Sequence, residues 1–214
     1  MTEVWAAVPV KSLASAKQRL AGLLTPTQRE ALAAAMLEDV LEALAAARLG
    51  GIVVNTVDAH AAALVRRYDA RVIEDGALHG HTGAVNGIAR LLEREGREAM
   101  LAMPGDIPRV TTREINAVLA ARGKGRSFTI VPARDEQGSN AVLCAPPLAV
   151  PLRFGDDSYF PHLDAARRQG IEPKVVRLPG IGLDIDRSAD VRAFLAARPR
   201  MATRTLRLLE AAGV

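Results

Sequence analysis

Short apolar runs alternate along the chain with longer stretches in which apolar positions recur every three or four residues. Buried strands are predicted over residues 4–10, 52–57, 71–73, 99–103, 128–131, 141–144 and 174–178. Helices are predicted between them, and their starts are well marked. Thr25 is placed as N-cap, Pro26 at the first helical position and Gln28 as the closing residue of a capping box. That helix runs to about residue 48, with Leu32, Met36, Val40 and Leu44 on one face, until Gly50-Gly51 stops it. Asp58 caps a helix over about 59–68, and Thr111 with Glu114 forms a second capping box for a helix ending near Arg122. Further helices are expected over about 84–95, 159–169, 188–197 and 202–212. The strands near 130 and 143, joined by the polar connection 134–140, read as a hairpin-like return.

Alternation of strand and helix at this spacing predicts βαβ units and a mostly parallel sheet. The expected class is α/β, and the 214 residues suit one domain spanning 1–214. Composition fits a soluble globular chain, with 49% hydrophobic and 24% charged residues. No apolar run approaches the roughly 18–20 residues of a membrane span, and Met1-Thr2-Glu3-Val4-Trp5 does not resemble a signal peptide. No membrane partner and a cytoplasmic location are expected. Cys144, the sole cysteine, excludes an intrachain disulfide and reads as a small core residue. The net charge of +4 and pI of about 9.7 raise the question of nucleic acid. Scattered arginines and only 3% aromatics fit a basic pocket for a small polyphosphate at least as well.

The chemistry gathers after strand ends, where open α/β sheets bind ligands. In Pro104-Gly105-Asp106 proline ends the ladder, glycine lets the backbone turn, and Asp106 is left past the strand. The competing reading is a turn aspartate bonded to its own backbone. In Asp184-Ile185-Asp186 the two carboxylates point the same way in extended backbone while Ile185 faces the other side. With Asp106 they would form an oxygen-rich site suited to Mg²⁺; a solvated strand end capping the next helix through Asp186 or Ser188 is the alternative. Lys11, Lys17 and Arg19 follow the first strand and suit a triphosphate or a departing pyrophosphate, unless they are a helix's solvated face. Phe154-Gly155-Asp156-Asp157-Ser158 precedes a helix and could cradle a phosphate or carboxylate, or simply cap it. The glycine-rich stretch 75–83 is expected as a flexible loop that admits a ligand close to backbone. His79 and His81, two apart with only Asp75 near, make a poor metal site, and His60 is expected on an exposed helix. P-loop, dinucleotide and Gly-x-Ser-x-Gly motifs are absent.

As an ordered set, residues 9–20, Pro104-Gly105-Asp106-Ile107-Pro108, Gly138-Ser139-Asn140-Ala141, Phe154-Gly155-Asp156-Asp157-Ser158 and Asp184-Ile185-Asp186 resemble the 2-phospho-L-lactate guanylyltransferase family. That family makes the guanylylated precursor of the deazaflavin coenzyme F420. The resemblance implies a single-domain, Rossmann-like nucleotidyltransferase fold of the glycosyltransferase-A type, with a mixed, mostly parallel sheet flanked by helices. It implies transfer of GMP from GTP to a phosphorylated three-carbon acid (2-phospholactate, phosphoenolpyruvate or 3-phosphoglycerate), with Mg²⁺ and release of pyrophosphate. Carried over by position, Lys11 is a substrate-phosphate lysine, and Asp106, Asp184 and Asp186 are metal ligands. Asn140, Gly155 and Ser158 bind the acceptor; Pro9, Val10, Gly105 and the segment 82–86, with Thr82 and Asn86, hold the nucleotide. Asn140 stands where some members carry threonine and Asp156 where some carry proline, which bears on the choice of acceptor.

The acceptor phosphate, with a second pKa of about 6, needs little deprotonation. Catalysis then rests on positioning and cation electrostatics, with Lys11, Lys17, Arg19 and Mg²⁺ as the cations and Asp106 as the anchoring carboxylate. The partners expected are small molecules rather than nucleic acid, with a homodimer left open. The competing readings are a nucleotidyltransferase for a sugar phosphate or molybdopterin, disfavoured because Pro9-Val10-Lys11 replaces a glycine-rich loop, and a basic nucleic-acid-binding module.

Overall fold

The computed structural model describes residues 4–155, 157–197 and 203–214. Its strands are β1 (Val4–Pro9), β2 (Gly51–Asn55), β3 (Arg71–Ile73), β4 (Ala99–Ala102), β5 (Ser127–Pro132), β6 (Ser139–Ala145) and β7 (Lys174–Val175). They form one sheet in the order β3-β2-β1-β4-β6-β5-β7. Strands β1 to β4 are parallel, β6 runs against both β4 and β5, and β7 is parallel to β5. Only β6 is therefore reversed. It follows β5 through a short loop, without the helical crossover that a parallel pair requires.

That single reversal positions the site. The carboxyl ends of the other strands share one edge, and β6 contributes its amino end, Ser139 and Asn140, to the same edge. Asn140, expected in the polar connection, is thus a strand residue, because the hairpin register runs from Ser127 opposite Ala145 to Pro132 opposite Ser139.

The helices are α1 (Pro26–Ala45), α2 (Ala59–Arg66), α3 (Gly80–Arg94), α4 (Thr112–Ala120), α5 (Tyr159–Arg168), α6 (Ser188–Ala196) and α7 (Arg204–Ala211). The pleat sends Ala6 and Val8 of β1 toward α1, α2 and α4, in one cluster with Leu41, Val65 and Ile115. Ala7 and Val53 face the other layer, with Ile88 of α3 and Leu163 of α5. A third cluster joins α1 to the chain's end through Met36, Ile185, Phe194 and Leu209. Cys144 is fully buried, and burial pushes its thiol up to about 12, as suits a core residue.

Both capping boxes form: Thr25 with Gln28 before α1, and Thr111 with Glu114 before α4. Asp58 caps α2 through the Ala61 N–H at 2.9 Å. The helix expected from 202 begins at Arg204 among the described residues, and buried Asp39 of α1 caps it through the N–H groups of Arg204 and Thr205, each at 2.9 Å.

Two elements differ from the sequence reading. Strand β7 pairs only at Lys174 and Val175 and stops short of 178. Helix α3 starts at Gly80, a full turn before the expected 84, after a 3-10 turn at Ala77–His79. The glycines mark a tight turn and a close approach: Gly76 and Gly80 bound the 3-10 turn at φ 80° and 72°. A Cβ on Gly83 would stand 2.6 Å from the Gly76 carbonyl oxygen, and one on Gly87 would overlap the Asp75 carbonyl.

Candidate active site

An open cleft of about 1190 Å³ runs along the carboxyl edge of the sheet, lined by residues following β1, β4 and β5, by the amino ends of β6 and α3, and by the segment before α6. The loop after β1 is pinned at two points. Val10 donates its N–H to the Asn55 carbonyl at 2.9 Å, and Leu13 donates to Asp58 Oδ2 at 3.0 Å. Lys11 projects exposed into the cleft between these ties, and it makes no ion pair among the described residues. Pro9 and Val10 line the cleft floor.

At the loop's end Lys17 adopts left-handed backbone, with φ 55° and ψ 37°, a conformation that costs a residue with a Cβ about 1 kcal/mol. Its ammonium lies 2.7 Å from Asp106 Oδ2 and 2.7 Å from Asp186 Oδ1, on a side chain that is 8% exposed. Burial alone would lower the lysine's pKa; the two carboxylates override it and raise the group above its usual range. Arg19 approaches Asp186 Oδ2 at 3.9 Å from the solvent side.

Asp106 is brought there by β4, whose continuation at Met103 donates to the Ala7 carbonyl at 3.0 Å. Gly105 lines the cleft, but its backbone avoids the left-handed region, so the reason for glycine is not the turn. A Cβ there would press on Leu37 Cδ1 at 3.0 Å. The second aspartate segment is tied to the first by the Ile185 N–H, which donates to the Asp106 carbonyl at 3.0 Å. The expected alternation holds: Leu183 and Ile185 are buried, while Asp184 and Asp186 face the cleft. The backbone N–H groups of Asp186 and Arg187 are taken by Asp190 Oδ2, at 3.2 and 2.8 Å. Asp190, rather than Asp186 or Ser188, caps that turn, and the Asp186 carboxylate is left for Lys17.

The carboxylates differ electrostatically. Burial raises the Asp184 carboxyl, and Asp106 and Asp186 add to the effect against a hydrogen bond from Asn140. Burial also acts to raise Asp186, but Lys17 and then Arg19 outweigh it and lower the group. All three carboxylates thus share one edge, as expected. They do not meet at one point. Lys17 stands between Asp106 and Asp186, Asp184 accepts from Asn140 Nδ2 at 3.0 Å, and among the described residues no group of three acidic, cysteine or histidine side chains is disposed around a single ion. Two carboxylates this close need a positive charge between them, and the ammonium provides it. Carboxylate oxygens are the donors that a hard divalent metal takes, so the residue types suit Mg²⁺, while the place between Asp106 and Asp186 is taken by the Lys17 ammonium.

The residues assigned to the acceptor are neutral. Asn140 Nδ2 donates both to Asp184 and to the Ile181 carbonyl, at 3.0 Å each, which makes it a brace for the aspartate segment as well as a lining residue. Gly155 and Ser158 also line the cleft. The Ser158 hydroxyl accepts the Ser139 N–H at 3.1 Å and makes no cap to α5, so it supports β6 instead of standing free in an anion nest. Asp156 lies outside the described residues. Thr82 lines the cleft, but its hydroxyl accepts from the Phe154 N–H at 2.9 Å and donates to the Phe154 carbonyl at 3.3 Å. Asn86 is not in the cleft. It lies one turn, about 6 Å, further along α3 and borders a separate depression with Arg90 and Leu152.

His81 is the residue the sequence reading undervalued. Asp75, the acidic residue near it in sequence, receives Arg90 at 3.1 Å. The His81 ring packs on Phe154 with centroids 4.7 Å apart. Burial lowers its pKa to about 4, with Asp106 opposing and Lys11 assisting, so a neutral imidazole lines the cleft. The signal was its place at the start of α3, obscured by the assumption of a loop. His60 is exposed on α2, as expected.

Solved structures share this architecture. A Desulfovibrio desulfuricans protein described as a nucleotide-diphospho-sugar transferase superposes with a TM-score of 0.81 at 18% identity, covering 100% of this chain and 96% of its own. A Leptospira borgpetersenii cytidylyltransferase gives 0.60 at 12% identity, covering 100% and 94%. The fold is that of the nucleotidyltransferases, and with the sequence relatives below it makes this chain a nucleotidyltransferase enzyme. The profile of the guanylyl transferase CofC-like family matches residues 4–209. Phosphoenolpyruvate guanylyltransferase of Rubrobacter xylanophilus is 35% identical over 204 residues, 93% of this chain and 99% of that protein; its counterpart from Conexibacter woesei is 34% identical over 211 residues, 96% and 94%. The chain belongs to the CofC-like guanylyl transferase family. Among the described residues, no helix is long and apolar enough to cross a membrane.

Proposed function

We propose that this chain transfers GMP from GTP to the phosphate of a three-carbon phospho-acid, phosphoenolpyruvate first among them, with release of pyrophosphate. The observation that carries this reading is one cleft that holds Lys11, Lys17, Arg19, Asp106 and Asp186 together with the neutral Asn140, Gly155 and Ser158. The names of the relatives support guanine and phosphoenolpyruvate, and the product in this reading is a guanylylated precursor of the deazaflavin coenzyme F420.

The acceptor phosphate is largely ionised near neutral pH, so attack on the α-phosphorus requires no general base. The neutral His81 matches that requirement, because it brings no competing charge to the point where two anions meet. Lys11, with no carboxylate partner among the described residues, meets phosphate oxygens, and Lys17 and Arg19 hold charge at the polyphosphate side. Asp106 and Asp186, with Asp184 beside them, would hold Mg²⁺, which supplies charge stabilisation to the phosphates when bound. The test is pyrophosphate release by the purified protein with GTP and Mg²⁺, offered phosphoenolpyruvate, 2-phospholactate and 3-phosphoglycerate in turn. Release with one acceptor, and GTP preferred over CTP, is expected; no release with any of the three would overturn the proposal.

A further inference from the structure

Three separate segments carry the residues placed at the acceptor wall, and one buried side chain ties them together. His162, on the first turn of α5, is 1% exposed. Its Nε2 accepts the Arg153 backbone N–H at 3.1 Å. A neutral ring that accepts at Nε2 carries its proton on Nδ1, so Nδ1 donates to Ser139 Oγ at 3.0 Å. Ser139 in turn donates its own N–H to Ser158 Oγ. The Phe154 ring meets His162 edge-on, with centroids 5.0 Å apart, and the Phe154 backbone is held on its other side by Thr82.

Each tie ends beside an acceptor-wall residue. Ser139 adjoins Asn140 at the start of β6, Arg153 and Phe154 lead into Gly155, and Ser158 bonds to His162 through the helical turn, His162 N–H to Ser158 carbonyl at 3.0 Å. His162 itself does not line the cleft. An apolar side chain of the same volume would fill its place, but it would leave the buried Ser139 hydroxyl and the part-buried Arg153 N–H without these partners. Only a ring with a donor and an acceptor on different sides bridges both.

We infer that His162 is the positioning residue of the acceptor pocket: it ties the amino end of β6, the 153–155 loop and the start of α5 into one wall, and none of its hydrogen bonds reaches Lys11, Lys17 or Arg19. This rests on the proposed function, since the pocket is an acceptor pocket only in that reading.

The test is steady-state kinetics of pyrophosphate release with GTP and phosphoenolpyruvate, for wild type, His162→Phe, His162→Asn and Ser139→Ala. His162→Phe removes both ring hydrogen bonds and is expected to raise the KM for phosphoenolpyruvate at least tenfold, with the KM for GTP within twofold of wild type. His162→Asn keeps an amide N–H near the Nδ1 position and is expected to recover part of that loss. Ser139→Ala removes one hydroxyl from a strand whose pairing is unchanged, so it decides the matter if His162→Phe does not fold; a threefold to tenfold rise in the acceptor KM alone is expected. Acceptor KM values within twofold of wild type in the folded variants would overturn the inference alone, as would a parallel rise in both KM values, which marks a general structural role. Absence of wild-type turnover would instead overturn the function on which it rests.

Discussion

On one side of the cleft Lys17 is suspended between Asp106 and Asp186 at 2.7 Å from each, with Arg19 nearby and Lys11 exposed; on the other, Ser139, Ser158, His162, Thr82 and the Phe154 backbone exchange hydrogen bonds without a formal charge among them. The charged side is held by Coulomb attraction, which is long-ranged and indifferent to which cation supplies it. The neutral side is held by directional bonds, each of which has a single partner. A ligand carrying phosphates and a cation can therefore rearrange the first without cost to the fold. The second is fixed in shape by the direction of its bonds, which is what selection of a small ligand requires.

The largest expected effect breaks the charged side. Asp106→Asn keeps the shape of the side chain but removes one of the two carboxylates around Lys17, and kcat for pyrophosphate release should fall by about 10²–10³-fold with an unchanged far-ultraviolet circular dichroism spectrum. Near-normal turnover would remove Asp106 from the site.

The neutral side is broken by acid. Burial first, then Arg153 and His81, lower the His162 pKa to about 4. The unfolded chain, with a histidine near 6.5, binds this proton more readily than the folded one, so stability falls as the pH drops from about 6.5 to about 4 and is constant in this respect above that window. The loss approaches about 3 kcal/mol at the acid end. Urea denaturation at stepped pH measures it, and a His162→Phe variant should show a shallower slope over the same window. An equal slope would mean that His162 titrates normally.

A smaller effect sharpens the charged side. Lys17→Met leaves Asp106 and Asp186 facing each other, at a cost of about 1–2 kcal/mol once the partial exposure of both carboxylates is discounted. Millimolar Mg²⁺ should restore that loss and raise the thermal midpoint of the variant more than that of wild type. Equal responses would show that the pair does not receive the ion. The smallest effect returns to the neutral side. Thr82→Val removes the hydroxyl that bonds the Phe154 N–H and carbonyl and should lower stability by about 1 kcal/mol in the same urea assay. No change would mean that the 153–155 loop is held without it.

Much of this was legible along the chain because it is local. Thr25 with Gln28, Asp58, and Thr111 with Glu114 start helices where they were read, since a cap bonds an N–H three residues away and needs nothing else. The apolar runs gave the strands, and the hairpin near 130–144 followed from the short connection. The glycines of 75–83 misled, because Gly83 serves the approach of the Gly76 carbonyl, which is visible only once the chain has folded back. Thr82 and Asn86 were placed together at the nucleotide on the strength of the resemblance, yet one bonds Phe154 and the other borders a separate depression.

By itself, the amino-acid sequence determined the elements, the α/β class, the membership of the acidic and basic sets, and the alternation that buries Ile185 and turns Asp184 and Asp186 to the other side. The tertiary structure alone decided which charges meet. Lys17 lies 89 residues from Asp106 and 169 from Asp186, and no local rule links them. Their meeting depends on the sheet order, which sets β1 beside β4, and on the Ile185 to Asp106 backbone bond that lays the last segment across that edge. The same order, with β6 reversed, brings Ser139 to His162, so that one end of the sheet carries both a wall of charge and a wall of neutral hydrogen bonds.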